Sequence, residues 1–308
     1  MAGGTHNTAG FSNAFDKRIR KIYMNDYMSW PSLYDKLAKI QSVKGNYIME
    51  SDLSTFGTME TTPEGGGGSI DAMKQGNNKT QRFTQFTHNA QVTRVMKDDD
   101  ESGMITKFPK AQARSTALTC EYLFWDQCNS GFSASTSPET GLDGLSLFND
   151  DHTYIDNGAA VQDNQVATVL SYAAIQTAIT AFRDLKDEKG YPMYCEPNLL
   201  VIPTALEWKA ESILGAGAKL DPTNANNTIN VVKSVLPGLK YMVVPFLTSA
   251  TAWFLFDTKL ADLRWLWRAK PEYSKWDDGH TENTIYKAYM RVAATHFNWR
   301  GAYGSSGA

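Results

Sequence analysis

The sequence predicts an α+β fold. Three observations carry it: a helical stripe over residues 109 to 130, a second one starting near residue 166, and short or alternating apolar runs through the last third of the chain. Between Tyr47 and Met96 lies a stretch of different texture, rich in Thr, Gly, Asn and Gln and low in Leu, that matches neither pattern.

Residues 1 to 12 are small, polar and Gly-rich, and read as a flexible arm. In "NAFDKRIRKIYMNDYMSWPSLYDKLAKI", Phe15, Ile19, Ile22 and Tyr23 are followed by Leu33, Leu37 and Ile40 beyond Pro31, which predicts two short helices with a break. The far limb of the Thr-rich stretch alternates Phe86, His88, Ala90, Val92, Arg94 and Met96 on one face, as a strand does. Its near limb is weaker, and the centre "PEGGGGSIDAMKQGNN" holds no regular structure. The expectation is a long two-stranded arm with a flexible tip. Such an arm buries too little surface to offset its ordering entropy, so it needs a partner to lie on. The acidic "DDDESG", residues 98 to 103, reads as the solvated turn that ends it.

Pro109 suits the first turn of a helix, Ala113, Ala117, Cys120, Phe124 and Cys128 share one face, and Gly131 suits the stop. "GLSLFNDDHTYIDN", residues 144 to 157, then leads to a helix with a stripe of Val166, Val169, Leu170, Ala173, Ala178, Phe182 and Leu185. Asn164 reads as its cap, and Lys186, Lys189 and Gly190 as its end. "NLLVIP" is a buried strand, and Thr204 with Glu207 has capping-box spacing ahead of a helix to Leu214. "KYMVVPF", "AWFLFD" and "LRWLWR" read as strands of a mixed sheet covered by the two helices. In the final stretch Tyr286, Ala288, Met290, Val292 and Ala294 alternate with Lys287, Tyr289, Arg291 and Thr295, giving a long strand with one buried face.

With 308 residues, 42% hydrophobic and 20% charged, the chain is long enough for a sizeable core and ordinary in composition. A net charge of -3 gives no overall basic field, which disfavours a dedicated DNA-binding protein. The start has no apolar core segment and no run of about 18 apolar residues occurs anywhere, so neither a secretion signal nor a membrane span is expected. Cys120, Cys128 and Cys195 form no CxxC pair, and read as reduced, packed thiols.

A catalytic reading finds little to work with. The sequence contains no GxSxG elbow, P-loop, strand-linked GxGxxG, HExxH or kinase set, and "GGGG" at 65 to 68 lacks the Lys and Ser or Thr of a phosphate cradle. None of the five His residues stands at ligand spacing from another His or Cys, and no cofactor is expected. Asp150, Asp151, His152 and Asp156 have the residue types for acid-base or cation chemistry, but Asn and Asp also form turns by bonding nearby amides. The turn is the favoured reading, and a metal-dependent hydrolase built on Asp150, Asp151 and His152 is the competing one. Trp265 and Trp267 fall on one face of a strand as core or subunit contacts, with Arg264 and Arg268 on the opposite parity, placed to pair with acids of a neighbouring chain.

The order of parts, from arm through extended hairpin and long helix to compact α/β unit and returning strand, resembles the major capsid proteins of tailed phages. These share the Hong Kong 97 fold, and the Mu-like head subunits are the most similar. The similar motifs are "LSLFNDDH", "PNLLVIPTALEWKAESIL", "LPGLKYMVVPFL", "TAWFLFDTKLADLRWL" and "YMRVAATHFNWRGAYGS", from about residue 45 onward. The resemblance implies an N-terminal arm at 1–45, an extended β-hairpin loop at 46–100, a peripheral domain with a long spine helix at 101–165 that is completed by a return strand at 272–308, and a mixed-sheet axial domain at 166–271. It implies a structural head protein of the virion that is not an enzyme. Hexamers and pentamers would close into an icosahedral shell around double-stranded DNA, assembled in the host cytoplasm with a portal and a scaffolding protein. A decoration protein is a further partner of this kind, and no membrane is involved. Assembly contacts are expected at Phe83, Phe86, Lys74, Lys79, Trp265, Trp267, Arg264, Arg268, Trp299 and Arg300. Two departures matter. No long N-terminal scaffolding segment is evident, so a separate scaffold protein or a processed chain is expected. Lys74, Lys79 and Asn298 are the formal counterparts of a crosslinking site found in some members, but no matching Glu accompanies them, so covalent crosslinking is not expected. A tail-tube or decoration subunit shares the assembly logic and is the nearest alternative.

Overall fold

The computed structural model describes residues 12–100, 103–133, 140–153, 161–215, 218–219, 228–229 and 231–307. In chain order the first half contains α1 (Ser12–Ser29), β1 (Lys39–Ser42), β2 (Tyr47–Leu53), β3 (Gln75–Arg82), β4 (Thr84–Val92), α2 (Arg94–Asp98), α3 (Lys107–Asn129) and β5 (His152–Thr153). The second half contains β6 (Val161–Gln162), β7 (Gln165–Val166), α4 (Tyr172–Arg183), β8 (Leu199–Ile202), α5 (Glu207–Ala210), β9 (Ala218–Lys219), β10 (Thr228–Ile229), α6 (Val231–Val235), β11 (Lys240–Val243), β12 (Trp253–Phe256), β13 (Leu263–Asp277), β14 (Thr284–His296) and β15 (Ala302–Ser305).

Two sheets organise these elements. The long sheet has the order β1-β13-β14-β4, with β1 parallel to β13 and the remaining pairs antiparallel. The compact sheet has the order β11-β8-β12-β15-β7 and is mixed, parallel at both edges and antiparallel at its centre. Its central strand β12 is buried at every position, as a strand covered on both faces must be. The chain's last strand, β15, leaves the long sheet and joins the compact one between β12 and β7.

The long helix α3 joins the layers. Asp100 receives the Met104 and Ile105 amides at 2.7 and 3.0 Å ahead of the helix, and Pro109 sits in its first turn. Ala113, Cys120, Phe124 and Cys128 are buried on the face the spacing predicts. Burial pushes the thiols of Cys120 and Cys195 up to about 12 and about 11, and that of Cys128 up as well, so all three pack in the protonated form. Gln112 ties α3 to the long sheet: its amide donates to the carbonyls of His88 and Tyr286, while its oxygen accepts from the Tyr273 hydroxyl at 2.8 Å. One buried carboxamide thus bridges β4, β14 and β13. Tyr23 of α1 bonds Thr116 of α3 at 2.8 Å and stacks on Tyr273 at 4.6 Å, closing a second, smaller core.

Several expectations need correction. Only α1 precedes Pro31 as a helix; beyond it a single 3-10 turn, Tyr34–Lys36, leads into β1, because Ile40 pairs beside Trp265 in the long sheet. The Phe15 side chain and residues 1 to 11 of the arm expected at 1 to 12 lie outside what is described, and Ser12 already opens α1. The hairpin partner of β2 is β3 and not the limb carrying Phe86 and Val92. That limb forms β4, whose apolar side chains face the long sheet's core, and Arg94 and Met96 fall beyond it in α2. Polar Gln75–Arg82 suits an exposed ribbon instead. α4 starts at Tyr172 with Ser171 as its cap, accepting from the Ala174 amide, while Val166 lies in β7. Asn164 instead donates to the Leu147 and Ala302 carbonyls and accepts from the Asn149 amide. Thr204 makes no capping bond; a 3-10 turn, α5 and a π turn follow in its place. "LRWLWR" opens β13 of the long sheet and is no part of the mixed one. The alternation in β14 holds from Tyr286 to Val292, after which both faces are buried.

Gly301 marks the tight return from β14 to β15. Its φ is +87°, and a Cβ there would stand 2.6 Å from the Ala261 nitrogen. We therefore expect Gly301→Ala to destabilise the subunit by about 1–3 kcal/mol in thermal or denaturant unfolding. Gly238→Ala is the control, since nothing lies within 4 Å and its φ is ordinary; equal losses in both variants would contradict the role assigned to this turn.

Candidate assembly surface

The β2–β3 hairpin and the loop at its end, residues 54 to 74, form the part of the chain that has too little core of its own. Its root is held by a polar clasp on the returning chain. Arg264 forms a bidentate pair with Glu50 of β2 and a second with its neighbour Asp262 at 2.8 and 2.9 Å. Lys79 of β3 donates to Thr295 Oγ1 at 2.6 Å and to the His296 carbonyl at 2.8 Å. Both cations lie over the Phe297 ring, Arg264 at 4.5 Å and Lys79 at 5.2 Å from its centre. Charge-assisted, partly desolvated bonds of this kind are among the stronger polar contacts available to a ribbon without a core.

Below the clasp lies a buried polar layer. Arg300 pairs with Glu188 and donates to the Lys186 carbonyl at 2.9 Å, both partners being almost fully buried. Trp299 stacks on His152 at 4.1 Å and lies under the Arg300 guanidinium at 4.7 Å. His152 Nδ1 meets Asp143 at 2.6 Å; burial opposes ionisation of that carboxyl, but the His152 bond holds it below the usual range. Burial, with Lys79 beside it, pushes His296 down to about 3 and keeps its imidazole neutral. Asp52 faces this layer from β2. Burial and the nearby Glu188 raise it to about 6.

Further out, a latch holds the start of the loop. Thr55 donates to Asp187 at 2.8 Å, the Gly57 amide donates to Asp71 at 2.5 Å, and Lys189 reaches both Asp71 oxygens at 2.7 and 2.8 Å. Beyond it the tip has no cover. Along β2 and the loop together, Tyr47, Met49, Leu53, Phe56, Met59, Ile70 and Met73 supply seven of the twenty-one exposed large apolar side chains among the described residues, and Met59 and Ile70 at the tip are fully exposed. Apolar side chains concentrated on one projecting element mark an interaction surface.

The expected contacts therefore separate. Trp265 and Trp267 are buried in the chain's own core, Trp299 is buried against His152, and Arg300 lies in its buried ion pair. Arg264 and Lys79 work inside the chain, in the clasp, and Phe86 packs against the core. Phe83 is half-buried, while Lys74 and Arg268 are exposed. Asn298 caps the Arg300 amide at 2.9 Å. The hydrolase reading loses its geometry: Asp150 and Asp151 face solvent while His152 is buried against Asp143, and Asp156 lies outside the described residues. Among the described residues no three His, Cys, Asp or Glu side chains gather as a metal site, and no helix is long and apolar enough to cross a membrane. Glu50, Asp52, Asp71 and Asp187 carry no local signal for these contacts, and Lys189 reads only as a helix end, because the partners stand up to 214 residues away. Met59 and Ile70 carried a signal, being apolar residues in an otherwise polar loop.

A sequence profile described as phage capsid protein matches residues 78–305. No curated protein matches the chain in sequence. Among solved structures it is similar to a virus-like particle from Pyrococcus furiosus, at 9% identity and a TM-score of 0.54, over 94% of this chain and 99% of that one. It is similar to the capsid of Myoviridae phage XM1 at 10% identity and a TM-score of 0.54, over 86% of each chain. It is also similar to the capsid of bacteriophage JBD30 decorated with minor capsid protein trimers, at 16% identity and a TM-score of 0.53, over 71% of this chain and 92% of that one. At these identities the likeness is one of fold, and the fold is Hong Kong 97-like.

Asp52 gives the polar layer beneath the clasp a measurable pH dependence. Its folded value, about 6, lies above its ordinary 3.8, so the folded state binds the extra proton and stability falls as pH rises from about 4 through about 6. Asp52→Asn should remove this loss and raise the melting temperature of the unassembled subunit at pH 7.5 while changing it little at pH 4. Parallel curves for the two proteins would refute the assignment.

Proposed function

This chain belongs to the phage capsid protein family, and on that premise we propose that hexamers and pentamers of it close into the icosahedral head of a tailed double-stranded DNA phage. It is a structural major capsid protein of the virion, which supports the shell over the tail-tube and decoration readings. The shell is assembled in the host cytoplasm around a portal with a separate scaffolding protein. The capsid of bacteriophage JBD30 carries minor capsid protein trimers, and a comparable decoration protein on the outer surface is part of this reading.

The observation that supports it best is the contrast between root and tip of the extended loop. The root is clasped within the chain, whereas the tip presents Met59 and Ile70 without cover. A tip that cannot bury its own apolar groups gains cover from the next copy, and a contact repeated between unlike patches closes into rings and shells. Arm, extended loop, peripheral and axial domains are the working division of labour, with β4 and β13 counted with the long sheet of the peripheral part and β15 with the compact sheet of the axial part. The loop spans the neighbour, the peripheral part carries the long helix and sheet, and the axial part gathers around each capsomer's centre.

The test is electron microscopy and light scattering of the purified protein under assembly conditions. Shells or capsomers are expected, and a persistently monomeric species would contradict the reading. Because Gly57 and Asp71 already meet through a hydrogen bond, removal of residues 58 to 70 should leave a folded, soluble subunit that forms no shells. Intact shells from that deletion would show that the tip is dispensable.

A further inference from the structure

α1 and α3 run parallel, since Tyr23 meets Thr116 and Tyr27 meets Cys120, each pair 93 residues apart. The same offset sets Lys17 level with Lys110, and Lys21 level with Arg114, along the two helices. With Arg18, Arg20 and Lys107 this makes seven cations, all exposed. From Lys17 to Asn25 and from Gly103 to Cys120 the sequence has no Asp or Glu. Of the acids that border the patch, Asp26 accepts from Trp30 Nε1 at 3.4 Å and Asp100 accepts the Met104 and Ile105 amides, while Asp16 lies outside the described side chains. Among the described side chains none of the seven cations pairs with a carboxylate, and Arg114 lies over the Trp30 ring at 5.2 Å.

Like charges at helical spacings of three and four repel, so this pattern is unfavourable unless an anion meets it. It also stands out in a chain whose net charge is -3. The basic run on α3 from Lys107 to Arg114 spans about 10 Å along the helix, against one phosphate charge per about 1.7 Å of duplex DNA. A protein partner would call for apolar anchors among the charges. Here Ile19 and Ile22 are half-buried, and the exposed Met28 and Trp30 at the far end of α1 and Met104 ahead of α3 lie at the borders of the charges and not among them. Long flexible cations without such anchors suit a phosphate backbone, which is held without regard to sequence.

We propose that this α1–α3 face lines the interior of the shell and contacts the packaged duplex DNA through its phosphates. The proposal rests on the capsid reading above and adds a direction to it. The net negative charge excludes a protein that grips DNA all over, and is compatible with one local basic face.

The test is formaldehyde crosslinking of intact DNA-filled particles, followed by digestion and mass spectrometry. DNA adducts should be at least severalfold more frequent on Lys17, Lys21, Lys107 and Lys110 than on the exposed Lys240 and Lys270. An amine reagent too large to enter filled particles should spare the same four lysines. Adducts no more frequent there than on the controls would overturn the proposal, as would labelling of these lysines from outside. Crosslinks from them to an acidic protein in place of DNA would overturn it in favour of a protein partner. Absence of DNA-filled particles altogether would count against the capsid reading itself, which separates the two failures.

Discussion

The clasp at the root of the extended loop is the contact on which the rest of the molecule's behaviour depends. A two-stranded ribbon in water is marginal by itself, and the apolar side chains Tyr47, Met49 and Leu53 of β2 stay exposed. Arg264 and Lys79 supply what the ribbon lacks, tying Glu50 and β3 to the end of β14 across the Phe297 ring. The consequence is a division within one loop. Its base is fixed in direction by the subunit, and its tip, with Met59 and Ile70, is left to whatever lies beyond.

Under the clasp, polar residues that resemble catalytic groups are used for alignment. His152 is held between Asp143 and the Trp299 ring, and Arg300 is locked to Glu188. Groups buried and paired in this way fix the angle between segments that are distant in sequence, because leaving either partner alone in the interior would be costly. The stretch 144 to 153 thus acts as a junction: Leu147 and Phe148 enter the core, and His152 pins the turn to the chain's C-terminal return. Capsid proteins act through repeated contact, and rigid alignment of this kind is what repetition requires.

Much of the fold could be read from local pattern. The stripe from Ala113 to Cys128 gave α3, "NLLVIP" gave β8, and alternation from Tyr286 to Val292 gave β14, since in each case one face is buried by its own chain. Errors arose where position depended on distant partners. β3 is polar on both faces and carries no strand signal, so β2 was matched to the apolar limb that in fact closes the long sheet. Asn164 looks like a helix cap, yet its amide is engaged with Leu147 and Ala302. Trp265 and Trp267 left core and interface equally open, and only the meeting of β13 with Tyr34 and α3 decides for the core. The clasp was invisible for the same reason, because nothing near Glu50 announces Arg264.

The central claim is that root and tip of one loop have different masters, the subunit and its neighbour. Hydrogen exchange of backbone amides, compared between unassembled subunits and closed shells, tests it most directly. The account predicts that β2 and β3 are protected in both states, while residues 58 to 70 exchange freely in the subunit and slow sharply in the shell. Fast exchange of the tip in both states, or protection already present in the lone subunit, would contradict it.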